Sequence, residues 1–304
     1  MKHQKVTKTD VQPFNRMSKQ DKIFTVFNYF LALLFLAVCL YPIYFILIAS
    51  ISNASMVTSG KVFLIPKGIT FLGYKLMLEK KEIWTGYLNT ILYTVFGTAF
   101  NLCLTIPAGY ALSIKTLPFR RLINFCFMLT MFISGGMIPT YLLVSHLHLE
   151  NTFAIMVIIG GVNVWNLILC RNFFSTNIPV ELREAAQIDG CTEFGIFFKV
   201  VLPLSKAIIA VMLLYFAVSH WNGYQDALIY LRDPNKYPLQ LVLRNLLLQN
   251  TLTADTDAAG LERLMDLQSM KYGVIVIASL PVMILYPFIQ KYFVKGVMVG
   301  SVKG

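Results

Sequence analysis

The sequence predicts an all-α polytopic membrane protein with six transmembrane helices. Of its 304 residues, 57% are hydrophobic and only 13% carry a charged side chain, and the mean hydropathy is +0.64. Soluble domains hold about 25% charged residues, so this composition is typical of a chain that lies largely in lipid. No polar stretch is long enough to form an independent soluble catalytic domain.

Six apolar segments approach the roughly 20 residues that cross a bilayer core as a helix. We expect residues 1–22, which are polar and basic, to form a cytoplasmic tail, and residues 23–304 to form a single transmembrane domain. The first apolar run is too long for the hydrophobic region of a signal peptide, so it is expected to be a span. The predicted spans are 23–51, 87–114, 122–144, 153–170, 205–221 and 272–293.

The net charge of +11 indicates an orientation. If the amino terminus lies inside, the inner segments hold most of the 26 Lys and Arg residues, and most acidic residues lie in the outer loops. Cytoplasmic loops are enriched in Lys and Arg, so both termini are expected in the cytoplasm of a bacterial cell. The excess of basic residues is thus explained by the membrane topology. The sequence has no soluble domain with a surface of basic and aromatic residues, which argues against nucleic-acid binding.

The apolar cores of the six spans contain no Asp, Glu, Lys or Arg. Carriers driven by ions or protons usually need buried ionisable groups to bind the coupling ion. His220, at the end of the fifth span, is interpreted as an interfacial residue beside Trp221 rather than as a proton relay. The energy for any transport is therefore expected to come from another subunit.

The long polar stretch on the inner side, residues 177–205, predicts two short helices with a break between them. Pro179 suits the first position of a helix, and Gly190 suits a left-handed stop. An apolar stripe on the second helix is expected to lie along the membrane surface or under the bundle. The stripe consists of Phe194, Phe197, Phe198 and Val201.

One pattern in this stretch resembles a known loop. Glu184-Ala185-Ala186, then Gly190, then Val200-x-Leu202-Pro203 resembles the EAA loop of permease subunits of bacterial ABC importers, with Val200 where Ile is usual. In that family the loop is a cytoplasmic coupling helix held in a groove of the ATPase subunit. The resemblance implies a type I ABC importer transmembrane domain. The residues it implies at the ATPase contact are Glu184, Ala185, Ala186, Asp189 and Gly190.

Other runs resemble the carbohydrate branch of that family. Residues 134–142 read SGGMIPTYL, similar to the S-G-G-x-I-P-x-Y-L run of permeases for oligosaccharides, and residues 171–174, 221–222 and 290–296 add to the likeness. The resemblance covers nearly all of the chain from the first span onward. It implies a second homologous permease, two ATPase subunits, an extracellular solute-binding protein and an oligosaccharide substrate as partners.

The sequence offers no catalytic or cofactor motif. Gly109 followed by Lys115-Thr116 lacks the second glycine of a phosphate-binding loop. His146 and His148 are two residues apart, which does not place both on one helix face, and the five cysteines lack metal-ligand spacing. We therefore expect a non-catalytic subunit that binds no metal or cofactor, with ATP and Mg bound by the ATPase subunits.

Polar and aromatic residues near two spans are candidates for the substrate path. Polar groups inside a membrane bundle are costly unless they face water, a ligand or one another, and sugars bind to hydrogen-bonding groups and aromatic faces. Contacts between helices and an aromatic belt at the interface explain the same residues equally well. The candidates are Asn163, Trp165, Asn166, Trp221, Asn222 and Tyr224.

The long outer loop, residues 222–271, contains a polar stretch of small residues. This stretch is either a mobile loop or a tip that touches an external partner. For the second case the predicted contacts with the binding protein are Thr251, Thr253 and Asp255.

Two other functions stay open at this stage. ABC importer permeases for amino acids, phosphate or metal chelates share the EAA pattern, although the SGG run and the long outer loop favour a sugar. An ion-coupled carrier or a non-transporting membrane scaffold would work without an ATPase partner.

Overall fold

The structure, a computed structural model, describes residues 18–252, 270–284 and 287. Within these ranges the chain is mostly helical and contains no β-strand. It forms two compact units, residues 1–71 and 72–304. The predicted single domain over residues 23–304 stays a prediction.

The first unit is built on one long helix, α1 (Lys19–Ser50). Ser18 caps its amino end, because the Ser18 hydroxyl accepts a hydrogen bond from the Asp21 N–H. Long apolar side chains are exposed around the circumference of α1, as suits a helix surrounded by lipid. The short helix α2 (Ala54–Thr58) follows, with Asn53 as its amino-terminal cap.

The second unit holds the other helices, and α1 and α4 are long and apolar enough to cross a membrane as single helices. The helices of this unit are α3 (Leu72–Glu79), α4 (Lys81–Ser113), α5 (Arg120–Phe132), α6 (Met137–His146), α7 (Phe153–Ile158), α8 (Val164–Asn177), α9 (Val180–Ile188), α10 (Glu193–Ile196), α11 (Leu202–Leu204), α12 (Lys206–Asn222), α13 (Gln225–Tyr230), α14 (Leu239–Leu252) and α15 (Met270–Ile284).

Helix α4 is the element against which the second unit packs, and it contacts α7, α8, α12 and α14. Two glycines allow the close crossings. A Cβ at Gly109 would lie 2.7 Å from Cβ of Cys170 on α8, and one at Gly97 would lie under 3.0 Å from the His220 ring on α12. Small residues at crossings are how helices in lipid bring their backbones together.

The third predicted span, 122–144, is not one continuous helix. Helix α5 ends at Phe132, α6 begins at Met137, and the two are bent by 111°. Gly136, between them, has φ 85° and ψ 176°, a conformation open essentially to glycine alone. Its N–H donates to the Ser134 hydroxyl at 3.2 Å. The SGG run is therefore the bend itself, which hydropathy alone does not reveal.

The fourth predicted span, 153–170, is interrupted as well. Helix α7 ends at Ile158 and α8 begins at Val164, because the Gly160-Gly161 pair breaks the helix, with φ 67° at Gly160. The last predicted span, 272–293, is described only as far as α15 and residue 287. By length and composition the described ranges hold two spans, or up to four if each bent pair counts as one. The count of six stays a prediction.

Candidate functional site

A polar cavity of about 200 Å³ lies between α4, the α7–α8 connection and α12. Two predicted path residues, Asn163 and Asn166, line it. Asn101, Ser219 and His220 line it as well, although the sequence analysis did not assign them to the path. Asn101 is more than fifty residues away from Asn163 in the chain, so nothing local in the sequence joins them.

One amide holds three elements of this cavity together. The Asn101 Nδ2 donates to the carbonyls of Gly160 and Gly161, both at 3.0 Å, and its Oδ1 lies 2.8 Å from Nε2 of His220. Carbonyl oxygens can only accept, so the amide must turn its oxygen towards the imidazole. His220 Nε2 is therefore the donor, and His220 lies in a helix contact.

Asn163 and Asn166 begin helix α8 at the cavity. The Asn163 Oδ1 accepts from the Asn166 N–H at 3.1 Å, an amino-terminal cap, while the Asn166 side chain is buried. Asp226, on α13 beyond the end of α12, also lines the cavity. Partial burial raises the pKa of its carboxyl above the usual value. The cavity thus offers amides, a hydroxyl and a carboxyl, groups that suit hydroxylated ligands.

A second cavity, of about 540 Å³, lies between the end of α12, α14 and α15. It is lined by the predicted path residues Asn222 and Tyr224, and by Arg244 on α14. The Arg244 guanidinium carbon lies 5.8 Å from the centroid of the Tyr224 ring, within the range of a cation–π contact.

The two predicted path tryptophans lie outside both cavities. Trp221 is buried, its Nε1 donates to the Ala278 carbonyl at 3.0 Å, and its ring centroid is 6.2 Å from that of Tyr87. It joins helices, as the alternative interpretation of these residues expected. Trp165 is 65% exposed. The assignment of these residues to the path stays a prediction.

The 177–205 loop begins with α9. Pro179 is the amino-terminal cap of α9 and Val180 its first residue, one position later than predicted. Gly190 has φ 76°, which confirms the left-handed stop. The break between the two halves of the loop follows directly, because Thr192 caps α10 by accepting from the Gly195 N–H.

The five residues implied at the ATPase contact divide by exposure. Ala186 is buried at 8% exposure in the chain's own core, which also contains Cys170 and Phe174 of α8. The other four are exposed: Glu184, Ala185, Asp189 and Gly190. The sequence analysis missed Ile188, whose side chain is 86% exposed beside Asp189. A large apolar side chain at the end of a polar helix is the signal that could have identified it.

The four residues of the predicted apolar stripe in the second half of the loop differ in exposure. Phe197 and Val201 are buried, whereas Phe194 and Phe198 are exposed. Residues 197–201 form a π-helical turn, in which the Leu202 N–H donates to the carbonyl of Phe197, five residues back. Phe194, Phe197 and Phe198 nevertheless line one cavity beside the carboxyl end of α4, and the placement of the stripe at the membrane surface or under the bundle stays a prediction.

An ion pair ties the two halves of the loop together. Arg183 on α9 donates to Oε1 of Glu193 on α10 at 2.7 Å, and Gln187 donates to the same oxygen at 2.8 Å. The hydrogen bond from Arg183 holds the pKa of the Glu193 carboxyl below its usual value, with a smaller contribution from Gln187. The loop is therefore held as one folded unit beside the carboxyl end of α4.

The loop passes directly into α12. The chain bends by 82° at Ser205, which is fully buried and whose hydroxyl donates to the Val201 carbonyl at 2.7 Å. Helix α12 then runs for 17 residues, about 25 Å at 1.5 Å per residue, and ends at Asn222. His220 of the first cavity and Asn222 of the second lie in its last turn.

A family model described as "Binding-protein-dependent transport system inner membrane component" matches residues 11–299. The chain belongs to this family. It is accordingly the membrane component of a binding-protein-dependent transport system, and its helices include two that can span a membrane.

Proteins similar to this family member include two from Bacillus subtilis (strain 168). The polygalacturonan/rhamnogalacturonan transport system permease protein YtcP is 38% identical over 286 residues, which are 94% of this chain and 100% of YtcP. Protein LplC is 38% identical over 291 residues, 94% of this chain and 97% of LplC.

A solved structure is also similar to this binding-protein-dependent transport component. It is a crystal structure of a bacterial ABC transporter involved in the import of the acidic polysaccharide alginate. The two chains superpose with a TM-score of 0.83 and are 37% identical, covering 91% of this chain and 99% of that one. Identity at this level supports a shared family as well as a shared fold.

The predicted contacts with the binding protein fall largely outside the described residues. Thr253 and Asp255 lie beyond the end of α14, and the side chain of Thr251 is not described either. Two described loops, the one between α6 and α7 and the one after α13, are joined by a different feature. Asn151 accepts at Oδ1 from the backbone N–H groups of Arg232 and Asp233, both at 3.1 Å, and joins the two loops.

Proposed function

We propose that this chain is the permease subunit of an ATP-driven importer of oligosaccharides. It forms half of the translocation path, beside a second homologous permease. Two ATPase subunits bind ATP and Mg, and an extracellular solute-binding protein delivers the sugar. The chain itself is non-catalytic and binds no cofactor. Family membership and the similarity to permeases of saccharide importers support this proposal.

The observation that carries the mechanism is the continuity between the 177–205 loop and α12. The loop is folded as one unit by the Arg183–Glu193 pair, and the hydrogen bond of the buried Ser205 fixes its junction with α12. A displacement of the loop must therefore move α12, whose far end carries residues of both cavities. ATP-driven closure of the ATPase dimer would in this way change the access to the path.

The 177–205 loop lies in the cytoplasm in this proposal, as do both termini. Its free surface consists of the exposed face of α9, with Glu184, Asp189 and Gly190, together with the apolar Ile188. An apolar side chain surrounded by exposed polar residues is typical of a surface that another protein covers. Ala186 positions α9 against the core rather than contributing to that surface.

Purification of the tagged chain from its native membrane tests the assembly. We expect an ATPase and a second permease to co-purify, and the reconstituted complex with its binding protein to accumulate oligosaccharides in vesicles only when ATP is present. Transport by the chain without an ATPase would contradict the proposal. Uptake of amino acids, phosphate or metal chelates in place of saccharides would contradict its substrate class.

A further inference from the structure

The second cavity contains an arginine for which the described chain supplies no anion. Arg244 is half-buried on α14 and lines the cavity at the level of Gln240, one turn earlier. The ion pairs found within residues 18–252, 270–284 and 287 are Arg183–Glu193 and Arg232–Glu150, and neither involves Arg244. Its described interaction is with the face of the Tyr224 ring.

An unpaired guanidinium beside an apolar bundle is costly. Charged side chains in membrane bundles face a water-filled cavity or pair with an opposite charge, and they commonly mark a substrate pathway. One wall of this cavity is apolar, formed by Leu243, Val274 and Ala278 among others. A negative charge that enters the cavity would therefore be attracted to Arg244 across a poorly screening surface.

The groups around Arg244 favour a sugar acid over a small anion. The planar fork of a guanidinium binds a carboxylate through two parallel hydrogen bonds. Tyr224, 42% exposed, adds an aromatic ring, and three side chains add hydrogen-bonding groups suited to hydroxyls: Asn222, Gln240 and Ser279. The volume of about 540 Å³ is within the range of pockets for small organic ligands and far exceeds the needs of an inorganic ion.

We propose that Arg244 and Tyr224 form a subsite for a carboxylate-bearing sugar unit, a uronate, in the translocation path. The inference rests on the proposed function and narrows it to acidic oligosaccharides. Arg244 binds the carboxylate, and Tyr224 orients the guanidinium and contacts the sugar ring. A neutral oligosaccharide would leave Arg244 without a partner, so the subsite discriminates by charge.

The test compares two probes with the same sugar backbone, trigalacturonate and its methyl ester, in which each carboxylate is replaced by an uncharged ester. Vesicles contain the complete importer, and the variants are Arg244→Gln and the control Arg232→Gln, which also removes one positive charge but lies outside the cavity. Charge-assisted hydrogen bonds contribute enough for a change of at least about tenfold. We expect Arg244→Gln to lower trigalacturonate uptake by at least about tenfold, and Arg232→Gln to lower it less than about twofold.

A second measurement avoids any selection by the binding protein. Both probes are added to the purified complex of permeases and ATPases, and the shift of the thermal unfolding midpoint is recorded, since a ligand of the folded state stabilises it. Trigalacturonate is expected to stabilise the wild-type complex more than the ester does, and Arg244→Gln is expected to abolish that difference.

The inference is overturned if Arg244→Gln behaves like the wild-type complex in both measurements, or if it weakens the response to both probes equally. A wild-type importer that carries neutral oligosaccharides but not trigalacturonate overturns the inference while leaving the proposed function in place. A wild-type importer that carries no saccharide contradicts the proposed function itself.

Discussion

His220 and Asn101 lie on two different helices, and their side chains meet with His220 Nε2 2.8 Å from Asn101 Oδ1. Through its amide nitrogen, the same Asn101 holds the carbonyls of Gly160 and Gly161. One side chain thus joins α4, α12 and the break between α7 and α8. A displacement of the end of α12 relative to α4 would strain or break this junction.

Replacing Asn101 by Leu is expected to destabilise the assembled protein by about 1–2 kcal/mol, because two loop carbonyls and the imidazole lose their partner. The control is Asn124→Leu, since within the described residues the Asn124 amide donates to the Arg120 carbonyl of its own helix and to no other helix. Thermal unfolding of the purified complex measures the difference. Equal midpoints for the two variants would show that the junction contributes nothing beyond a local bond.

Gly97→Ala is expected to disrupt the α4–α12 crossing, because the added methyl group would lie under 3.0 Å from three atoms of the His220 ring. The control is Gly273→Ala on α15, where the methyl group would meet Tyr74 at an ordinary 3.6 Å. Alanine is favoured over glycine in a helix by about 1 kcal/mol. A loss of stability in Gly97→Ala would therefore have to exceed this gain in helix propensity.

Uptake and thermal unfolding of both glycine variants provide the measurement. We expect Gly273→Ala to keep the wild-type uptake and midpoint, and Gly97→Ala to lower both. A Gly97→Ala variant as stable and active as Gly273→Ala would mean that the α4–α12 crossing accommodates a methyl group for which the structure leaves no room.

The coupling surface is tested by Gly190→Asp. The φ of 76° and the open space around Gly190 allow an aspartate at a modest backbone cost, so this change alters the surface more than the fold. Gly60→Asp is a matched control, with φ 69° and no atom within 4 Å of the added Cβ. We expect uptake to fall by at least about tenfold in Gly190→Asp and to stay near wild type in Gly60→Asp.

Membrane insertion and the yield of both variants are expected to be unchanged, and co-purification of the ATPase shows whether the contact is lost. Wild-type uptake by Gly190→Asp would contradict a coupling role for this part of the loop.

The Arg183–Glu193 pair makes the folded loop sensitive to acid. Because hydrogen bonding lowers the pKa of Glu193 in the folded protein, the ion pair stabilises the loop fully above about pH 4.5, the ordinary value of this carboxyl. That contribution is lost as the pH falls through the lower folded pKa. Glu193→Gln should therefore lower the unfolding midpoint at pH 7 and have less effect as the pH falls below 4.5.

Glu181→Gln is the control for this pH series, because it removes an exposed carboxylate of the same loop that has no ion pair within the described chain. Its effect is expected to be small at every pH. The exposure of Glu193, 53%, means that solvent screens the pair, so a small but pH-dependent shift is the expected result. A shift independent of pH would indicate lost packing instead.

Local chemistry explains which features of the loop were predictable. Gly190 could be identified as a stop because a left-handed residue depends on its own backbone, and the resemblance around Glu184 lies within a short run of residues. The π-helical turn at 197–201 was not predictable, because it depends on a single change in hydrogen-bond spacing that leaves no mark on the pattern of apolar residues. The burial of the Ala186 side chain was not predictable either, because it depends on the position of α8, which precedes the loop.

By itself, the sequence determined that the chain is a helical membrane protein with a long polar loop between apolar segments, because composition and apolar length depend only on which residues are present. Tertiary structure alone decided that Asn101 meets His220 and that Arg244 meets Tyr224, because these pairs are joined by helix packing rather than by spacing along the chain. It also decided where the spans break, since a bend at Gly136 leaves the hydropathy of its flanks unchanged.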